Sequence, residues 1–318
     1  MKTALVTGIT GQDGCYLSRL LLEKNYKVIG VTRNSQSTNL KNLEYLGISD
    51  SIIIEECNLL DLSFVIRLME KYKPDEVYNL AAQSSVGLSF AQPTATIEYN
   101  TNSVLNLLEA VRLSGNSMKF YQASSSEMYG KVTNLPVQLT TPMHPLSPYA
   151  ISKASNFWTV TNFRESFGLW TCNGVLFNHE SYLRPKNFFV KKVITDSLRI
   201  KHRKQDVLRV GNLDAKRDFG YAPKYAEAMW LMLQQPQAAD FIICSGKSIS
   251  LRSIVEHVFT TLGISTSKIV VDLTLFRPVD IADIYGENNQ SRDVLGWSYD
   301  LDFKKVLDML IEEEERNL

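Results

Sequence analysis

The residues of this chain best suited to chemistry are Tyr149 and Lys153, which lie four positions apart, and a Ser-Ser-Ser-Glu run at 124–127. Residues at that spacing lie one turn apart on the same face of a helix. An ammonium beside a phenol favours the phenolate, so the spacing predicts a Tyr149 pKa below its ordinary value of about 10. A hydroxyl from the serine run can hydrogen-bond the substrate oxygen that loses its proton. Glu127 adds a carboxylate that simple alcohol oxidation does not need. A Tyr-x-x-x-Lys spacing alone also occurs on surface helices, so its position in the chain decides its meaning.

The start of the chain has the pattern of a nucleotide-binding unit. An apolar run at 3–8 leads into a turn with glycines at 8, 11 and 14, and helical periodicity follows at 16–23. A second apolar run at 27–32 completes a strand–turn–helix–strand unit. Glycines in such a turn allow a pyrophosphate to rest on the helix N-terminus. The unit therefore predicts dinucleotide binding.

The end of the second strand is where the cofactor's ribose is recognised. An acidic residue there favours the free 2′-hydroxyl of NAD. This chain has Arg33 followed by small polar residues at 34–37, which favours the 2′-phosphate of NADP. The alternative is that Arg33 is a solvated loop residue.

The alternation of strands and helices continues and places the serine run. Strand patterns at 52–55, 74–79, 119–123 and 170–176 alternate with helical patterns at 61–73, at about 95–113 and from about 147 onward. The first of these helices has Asp61 as its predicted cap. The serine run then follows the fifth strand of a parallel series, at the sheet edge where open α/β sheets bind ligands. We therefore predict an α/β fold, a Rossmann-type doubly wound parallel sheet.

The pattern changes after residue 177, which predicts a smaller C-terminal α/β substrate-binding domain. The predicted nucleotide-binding domain takes 1–177 plus about 218–245. The predicted substrate domain takes about 178–217 plus 246–318, and includes a helix at about 187–199.

Composition excludes several classes of protein. Lysine plus arginine equals aspartate plus glutamate, 34 each among 318 residues, so no overall charge favours nucleic acid or membrane. The four cysteines are scattered, without metal-ligand spacing, and are expected to be reduced. Neither a signal-peptide pattern nor an apolar run of about 18 residues occurs. A cytoplasmic protein is the expectation.

Several longer strings carry a resemblance to a known family. The glycine turn, an Asn-Leu-Ala-Ala string at 79–82 and the Tyr-x-x-x-Lys spacing resemble the extended short-chain dehydrogenase/reductase superfamily. Within it the chain resembles the GDP-mannose 4,6-dehydratases, on strings at 8–14, 120–130, 176–181 and 211–218, with Phe276-Arg277-Pro278 and Leu295-Gly-Trp297 near the end.

The resemblance implies an internal redox lyase acting on a GDP-sugar. Tyr149 would take the proton of the sugar's 4-hydroxyl while the nicotinamide takes the C4 hydride. Glu127 would then remove the C5 proton, water would leave from C6, and the hydride would return to C6. Ser125 stands where the family usually has threonine, and Lys153 would hold the ribose and lower the Tyr149 pKa. The alternative for Glu127 is a residue that only hydrogen-bonds the sugar.

The resemblance also implies two sets of binding residues. The cofactor set is Gly8, Thr10, Gly11, Gln12, Asp13, Gly14, Arg33, Asp61, Leu80, Ala81, Ala82, Tyr149, Lys153, Asn178 and His179. The substrate set is Ser84, Ser85, Ser126, Asn178, Arg184, Lys192, Arg217 and Arg277. Solvated surface cations are the alternative for the last four, and a structural role is the favoured interpretation for His179. Ser126 is either a substrate contact or a residue behind the site.

Besides Ser125, the chain departs from the family pattern at four positions. Asn34 follows Arg33 where an arginine pair is common, Leu146 replaces an arginine, and Tyr182 and Pro185 alter a loop over the substrate. A different GDP-sugar, such as a GDP-linked heptose, therefore remains open. So do a GDP-4-keto-6-deoxyhexose reductase, a nucleotide-sugar epimerase and a non-catalytic NADP-binding sensor. By analogy with the family, a homodimer or homotetramer is expected.

Overall fold

The computed structural model describes residues 1–33, 39–115 and 118–318. The predicted loop residues at 34–37 lie outside the described residues. Within the described part, the strands are β1 (Thr3–Thr7), β2 (Lys27–Thr32), β3 (Ile53–Glu56), β4 (Glu76–Asn79), β5 (Lys119–Ser125), β6 (Thr171–Leu176), β7 (Asn178–Glu180), β8 (Leu208–Val210), β9 (Lys216–Tyr221), β10 (Phe241–Ile243), β11 (Ser248–Ser250) and β12 (Ile269–Val271). The α-helices described are α1 (Gln12–Glu23), α2 (Lys41–Tyr45), α3 (Leu62–Tyr72), α4 (Val86–Ala91), α5 (Pro93–Leu113), α6 (Pro148–Phe167), α7 (Phe189–Lys201), α8 (Ala222–Gln234), α9 (Leu251–Leu262), α10 (Asn289–Leu295) and α11 (Phe303–Arg316).

The central element is a sheet that we call the large sheet. Its order is β10-β6-β5-β4-β1-β2-β3, and its strand pairs are parallel. The apolar runs of β1, β2, β4 and β6 are buried almost throughout, as expected when helices cover both faces of a parallel sheet. The predicted Rossmann-type fold is confirmed.

Local sequence signals explain the helix that carries the tyrosine and lysine. Ser147 caps α6 by accepting a hydrogen bond from the amide of Ala150, and Pro148 occupies the first turn, where its missing amide proton costs nothing. Gly168 ends the helix in the left-handed conformation with φ of 68°. The helix therefore begins where predicted.

The chain changes sheets directly after β6, where the sequence pattern also changes. Residues 178–180 form the separate strand β7. This strand pairs with β9 in a sheet of order β11-β9-β7, which we call the small sheet. The chain thus leaves the large sheet at once and enters a second group of elements, which consists of the small sheet, β8, β12, α7, α9 and α11.

One hydrophobic cluster lies against the large sheet, and another lies within the second group of elements. One packs α1 and α8 against the large sheet, and Leu295 and Trp297 belong to it. The other is formed by α7, α9, α11 and β8. The division into two domains remains a prediction, and the placement of Trp297 with the large sheet bears on where its boundary falls. Among the described residues, no helix has the length and apolar character needed to cross a membrane.

Candidate active site

A cleft of about 1850 Å³ runs between the carboxyl edge of the large sheet and the second group of elements. Its walls include the glycine turn, the ends of β4 and β5, the first turn of α6, and residues of α7 and β8. The carboxyl ends of parallel strands are where such sheets bind ligands. Residues from both halves of the chain line the cleft, from Arg33 after β2 to Leu275.

The glycine turn is shaped as a cradle for a dinucleotide. Gly8 has φ of 68°, and a Cβ there would lie 2.9 Å from the amide nitrogen of Ala81. A Cβ on Gly14 would lie 2.4 Å from the carbonyl oxygen of Gly8. Both positions therefore need glycine. The turn leads directly into the N-terminus of α1, whose amides favour a phosphate. These residues fit a dinucleotide cofactor.

A polar chain crosses the carboxyl edge of the large sheet. The Thr7 hydroxyl accepts hydrogen bonds from the amides of Leu80 and Ala81, each at 3.1 Å, and donates to Asn79 at 2.6 Å. Asn79 donates to the Gln122 side chain at 2.8 Å. Three neighbouring strands are thus joined by side chains that are almost wholly buried.

The catalytic pair predicted from the sequence is buried beside this chain. The Lys153 ammonium donates to the carbonyl oxygen of Ala123 at 2.7 Å and lies 5.8 Å from the centre of the Tyr149 ring. Burial lowers the pKa of Lys153 to about 8. Burial raises the pKa of Tyr149 to about 12; a hydrogen bond with Ser125 opposes this rise, and the Glu127 charge adds to it. The expectation of a lowered Tyr149 pKa is therefore wrong for this structure, because burial outweighs the Ser125 hydrogen bond that opposes it.

The serine run turns as it leaves β5. Ser125 ends the strand, and its hydroxyl accepts a hydrogen bond from the Glu127 amide at 3.3 Å. A short 3-10 helix, Ser126–Met128, then carries the Glu127 side chain into the cleft, where it is 15% exposed. The guanidinium of Arg277 lies 3.9 Å from the Glu127 carboxylate. Ser125, Glu127, Tyr149 and Lys153 all line the same cleft.

His179 is held by the protein on both sides of its ring. Nε2 lies 2.9 Å from Asp13 Oδ1, and Nδ1 lies 2.7 Å from the carbonyl oxygen of Phe177. The ring also stacks on Tyr225 at 4.5 Å. Burial would raise the pKa of Asp13, but the charge and hydrogen bond of His179 outweigh it and hold that pKa at about 2. These contacts support a structural interpretation in which His179 fixes the glycine turn against the second group of elements.

The four cations of the substrate set all line the cleft, and each is already paired with a carboxylate of the chain. A binding anion must therefore compete with an internal partner. The pairs, with their N–O distances, are Arg184–Glu180 at 3.5 Å, Lys192–Asp196 at 2.6 Å, Arg217–Asp280 at 2.7 Å and Arg277–Asp280 at 3.5 Å.

The remaining residues of the two predicted sets divide clearly. Those that line the cleft are Gly8, Thr10, Gly11, Gln12, Asp13, Gly14, Arg33, Leu80, Ala81, Ala82, Ser84, Ser85, Asn178 and His179. The structure does not bring Asp61 and Ser126 into the lining. Asp61 caps α3, accepting from the amides of Ser63 and Phe64, and Ser126 is buried in the 3-10 helix. Leu146 packs with a hydrophobic cluster around Phe157 and does not contribute to the lining.

Sequence reasoning missed the acidic partners of the cations. Asp280 lies 63 positions after Arg217, so nothing local connects them. Asp196 was detectable, because it follows Lys192 by four positions on a helix. Arg209 and Asn212 were also missed and line the same part of the cleft.

Solved structures of other proteins share the fold of this chain. The UDP-glucose 4-epimerase of Thermotoga maritima, solved with UDP-glucose, superposes with a TM-score of 0.88 at 23% identity, covering 99% of each chain. At that identity the likeness establishes the fold alone.

The sequence comparisons identify a single enzyme family. Residues 5–310 match the family described as GDP-mannose 4,6 dehydratase. GDP-mannose 4,6 dehydratase 2 of Arabidopsis thaliana is 42% identical over 98% of this chain and 87% of its own length. The GDP-mannose 4,6-dehydratase of Yersinia enterocolitica is 40% identical over 93% of this chain and 89% of its own length. The chain belongs to the GDP-mannose 4,6-dehydratase family.

Proposed function

We propose that this protein is an NADP-dependent GDP-mannose 4,6-dehydratase, which produces GDP-4-keto-6-deoxy-mannose by removing water from its substrate. The observation that carries the proposal is the presence of Glu127 in the same cleft as Ser125, Tyr149 and Lys153. Oxidation of a sugar hydroxyl needs only the last three, whereas elimination of water needs a further base.

The chain's own residues account for the proton steps. Tyr149 takes the proton of the 4-hydroxyl, while Ser125 holds the same oxygen by a hydrogen bond. A nicotinamide bound in the cleft would supply the redox chemistry, taking the C4 hydride and giving it back at C6, and its positive charge would favour the Tyr149 phenolate. The 4-ketone makes the C5 proton acidic, and Glu127 removes it as the C6 hydroxyl leaves. Of the two protons that Tyr149 and Glu127 take up, one leaves with that hydroxyl as water and the other returns to C5 when the hydride reaches C6. Lys153, which donates to the Ala123 carbonyl oxygen at 2.7 Å, would hold the cofactor's ribose hydroxyls.

The choice of NADP over NAD is supported by Arg33. Its side chain lines the cleft beyond the glycine turn, and its guanidinium lies 5.2 Å from the centre of the Tyr99 ring. A guanidinium held on a ring face keeps its donors directed outward, which suits the three oxygens of a 2′-phosphate.

The proposed orientation of the nucleotide-sugar in the cleft is based on the order of the residues along it. Tyr149 and Glu127 would face the sugar, and Arg277, close to Glu127, would face the diphosphate with Arg217. Arg184 and Lys192 complete the proposed GDP contacts, with Asn178 and the serines at 84 and 85 near the sugar. Since Leu146 does not line the cleft, its replacement of the family's arginine gives no support to a different sugar.

A cytoplasmic homodimer or homotetramer completes the proposal. Helices α5 and α6 pack together and expose Leu105, Ile151 and Trp158, the last at 60%. An exposed tryptophan among leucine and isoleucine is typical of a contact surface. Sedimentation velocity at micromolar protein measures the state, and a monomer would remove this part of the proposal.

The decisive experiment measures product mass and cofactor balance together. Purified protein is incubated with GDP-mannose and substoichiometric NADP. Loss of one water with no net cofactor consumption supports the dehydratase. A requirement for stoichiometric NADPH and a 4-keto substrate would instead indicate the reductase, and an isomer of unchanged mass the epimerase. No turnover on a panel of GDP-sugars, GDP-heptose included, would indicate a sensor.

The role of Glu127 is tested by Glu127→Gln. We expect dehydration to fall by about 10²–10⁴-fold, the usual range for loss of a general base, with cofactor affinity nearly unchanged. Glu165→Gln on the exposed side of α6 is the matched control and should turn over normally. Normal dehydration by Glu127→Gln would show that the carboxylate only hydrogen-bonds the sugar.

A further inference from the structure

The cation–acid pair of Lys192 and Asp196 lies inside the cleft on α7. Lys192 Nζ lies 2.6 Å from Asp196 Oδ2, and the Asp196 side chain is 21% exposed. Both residues line the cleft. An ammonium and a carboxylate held side by side present one strong donor and one strong acceptor to a ligand.

Helix α7, which carries the pair, packs against β8, which ends at Val210. Val210, Gly211, Leu251 and Leu275 line the cleft as apolar wall, with Arg209 and Asn212 as polar neighbours in the chain. A Cβ on Gly211 would lie 2.8 Å from the carbonyl oxygen of Leu275, so glycine is what permits this close approach. Apolar walls with a few placed polar groups are typical of a site for a flat organic ring. We call Val210, Gly211, Leu251 and Leu275 the far end of the cleft.

A series of neighbouring residues connects the catalytic residues to the far end of the cleft. Arg277 lies near Glu127 and is two positions after Leu275, which contacts Gly211. A nucleotide-sugar with its sugar at Glu127 and its diphosphate at Arg277 would therefore place its base at the far end. This step rests on the proposed function.

We infer that Asp196, with Lys192 beside it, is the residue that selects guanine as the base of the substrate. The Watson–Crick edge of guanine carries an acceptor, O6, next to two donors, N1–H and the 2-amino group. The Lys192 ammonium matches the acceptor, and the two Asp196 oxygens match the donors. Uracil and thymine offer only one donor, between two acceptors, and adenine has no donor at N1.

The test measures binding of three free nucleotides by calorimetry, at one pH and one salt concentration. Inosine diphosphate lacks the 2-amino group, and xanthosine diphosphate has an oxygen in its place. We expect the unaltered protein to bind GDP at least about tenfold more tightly than inosine diphosphate, the range for a lost hydrogen bond to a charged group. Asp196→Asn should weaken GDP by about tenfold to a hundredfold. It should also raise the affinity for xanthosine diphosphate relative to GDP, because an amide can donate to the 2-oxygen.

The control is Glu227→Gln, the same carboxylate-to-amide change in another helical lysine–acid pair, at 3.2 Å to Lys224 and outside the cleft lining. It should leave all three affinities unchanged. Equal affinity of the unaltered protein for GDP and inosine diphosphate would overturn the inference. So would an Asp196→Asn variant that loses affinity for all three nucleotides by the same factor. In either case turnover of GDP-mannose would leave the proposed function standing, whereas failure to bind GDP at all would remove both.

Discussion

The two sides of the cleft hold their functional side chains in different ways. We call the side with Ser125, Tyr149 and Lys153 the fixed region and the side with the four paired cations the cation side. Ser125, Tyr149 and Lys153 stand at the end of a buried strand and in the first turns of a capped helix, and their positions are fixed by packing and by bonds to the backbone. Across the cleft, the cations Arg184, Lys192, Arg217 and Arg277 sit next to carboxylates.

The difference indicates that one region is built for the reaction and the other for binding the ligand. Reacting groups lose rate when their geometry is loose, so they are held without a ligand. The Arg217 side chain is 7% exposed and would carry a large desolvation cost if left alone, so the chain supplies an acid, Asp280, that a diphosphate can displace. Three variants test whether one region is fixed and the other exchanges its partners, from the largest expected effect to the smallest, and a fourth variant outside both regions is the reference.

Tyr149→Phe removes the phenol from the fixed region. We expect turnover to fall by about 10³–10⁴-fold, near the upper range for a general acid–base group, because the ring still fills its place while the proton acceptor is gone. Steady-state turnover and cofactor binding are measured on the same preparation. Turnover within tenfold of the unaltered protein would show that the fixed region does not perform the proton transfer.

Lys153→Met separates function from stability in the same region. The pKa of Lys153 lies near 8 in the folded chain against its ordinary 10.5, so its charge opposes folding at neutral pH. That cost, at most about 3 kcal/mol, is fully present below pH 8 and disappears as pH rises to about 10.5. We expect the variant to lose about 10²-fold or more in turnover yet to resist urea better at pH 7, with the difference shrinking by pH 10. Lower stability at pH 7 would mean that the bond to Ala123 outweighs burial.

Asp280→Asn removes the acid that Arg217 and Arg277 share. If the cations of this side exchange partners, the variant should bind GDP about threefold to tenfold more tightly. The reason is that Arg217 and Arg277 would no longer have to give up their ion pairs with Asp280 when the diphosphate binds. Asp214→Asn, which breaks the exposed pair with Arg252, is the control and should have no effect on calorimetric affinity. Weaker GDP binding by Asp280→Asn would show instead that Asp280 positions the arginines, and the contrast between the regions would fail.

Asp61→Ala lies outside both regions and has the smallest expected effect. Asp61 accepts hydrogen bonds from the amides of Ser63 and Phe64 as the cap of α3, so its loss should cost about 1 kcal/mol of stability. Asp61→Ser should restore most of that stability. The cofactor KM should stay unchanged in both variants. A tenfold rise in that KM would return Asp61 to the cofactor set.

The sequence predicted best where the physical signal is local. The bounds of β2, the start of α6 near residue 147 and the glycine turn follow from short-range apolar patterning, a proline suited to a first helical turn and residues without a Cβ. The acid partners of the cations are brought together only by the fold, since Asp280 lies far from Arg217 in the chain. The direction of the Tyr149 pKa failed for a related reason. Spacing indicates which residues are neighbours, but the extent of burial depends on everything packed around them.

The last strand of the large sheet has a consequence for how the protein is made. β10 pairs with the outer side of β6, yet it is synthesised after β7, β8 and β9 have been laid down elsewhere. Until residues 241–243 leave the ribosome, β6 presents an open edge of unpaired backbone groups, and α8 is not yet in place against α1. A nascent chain that ends near residue 177 thus carries all of its reacting groups on an unfinished sheet. Such a chain is exposed to aggregation, and chaperone demand should peak before α8 and β10 emerge.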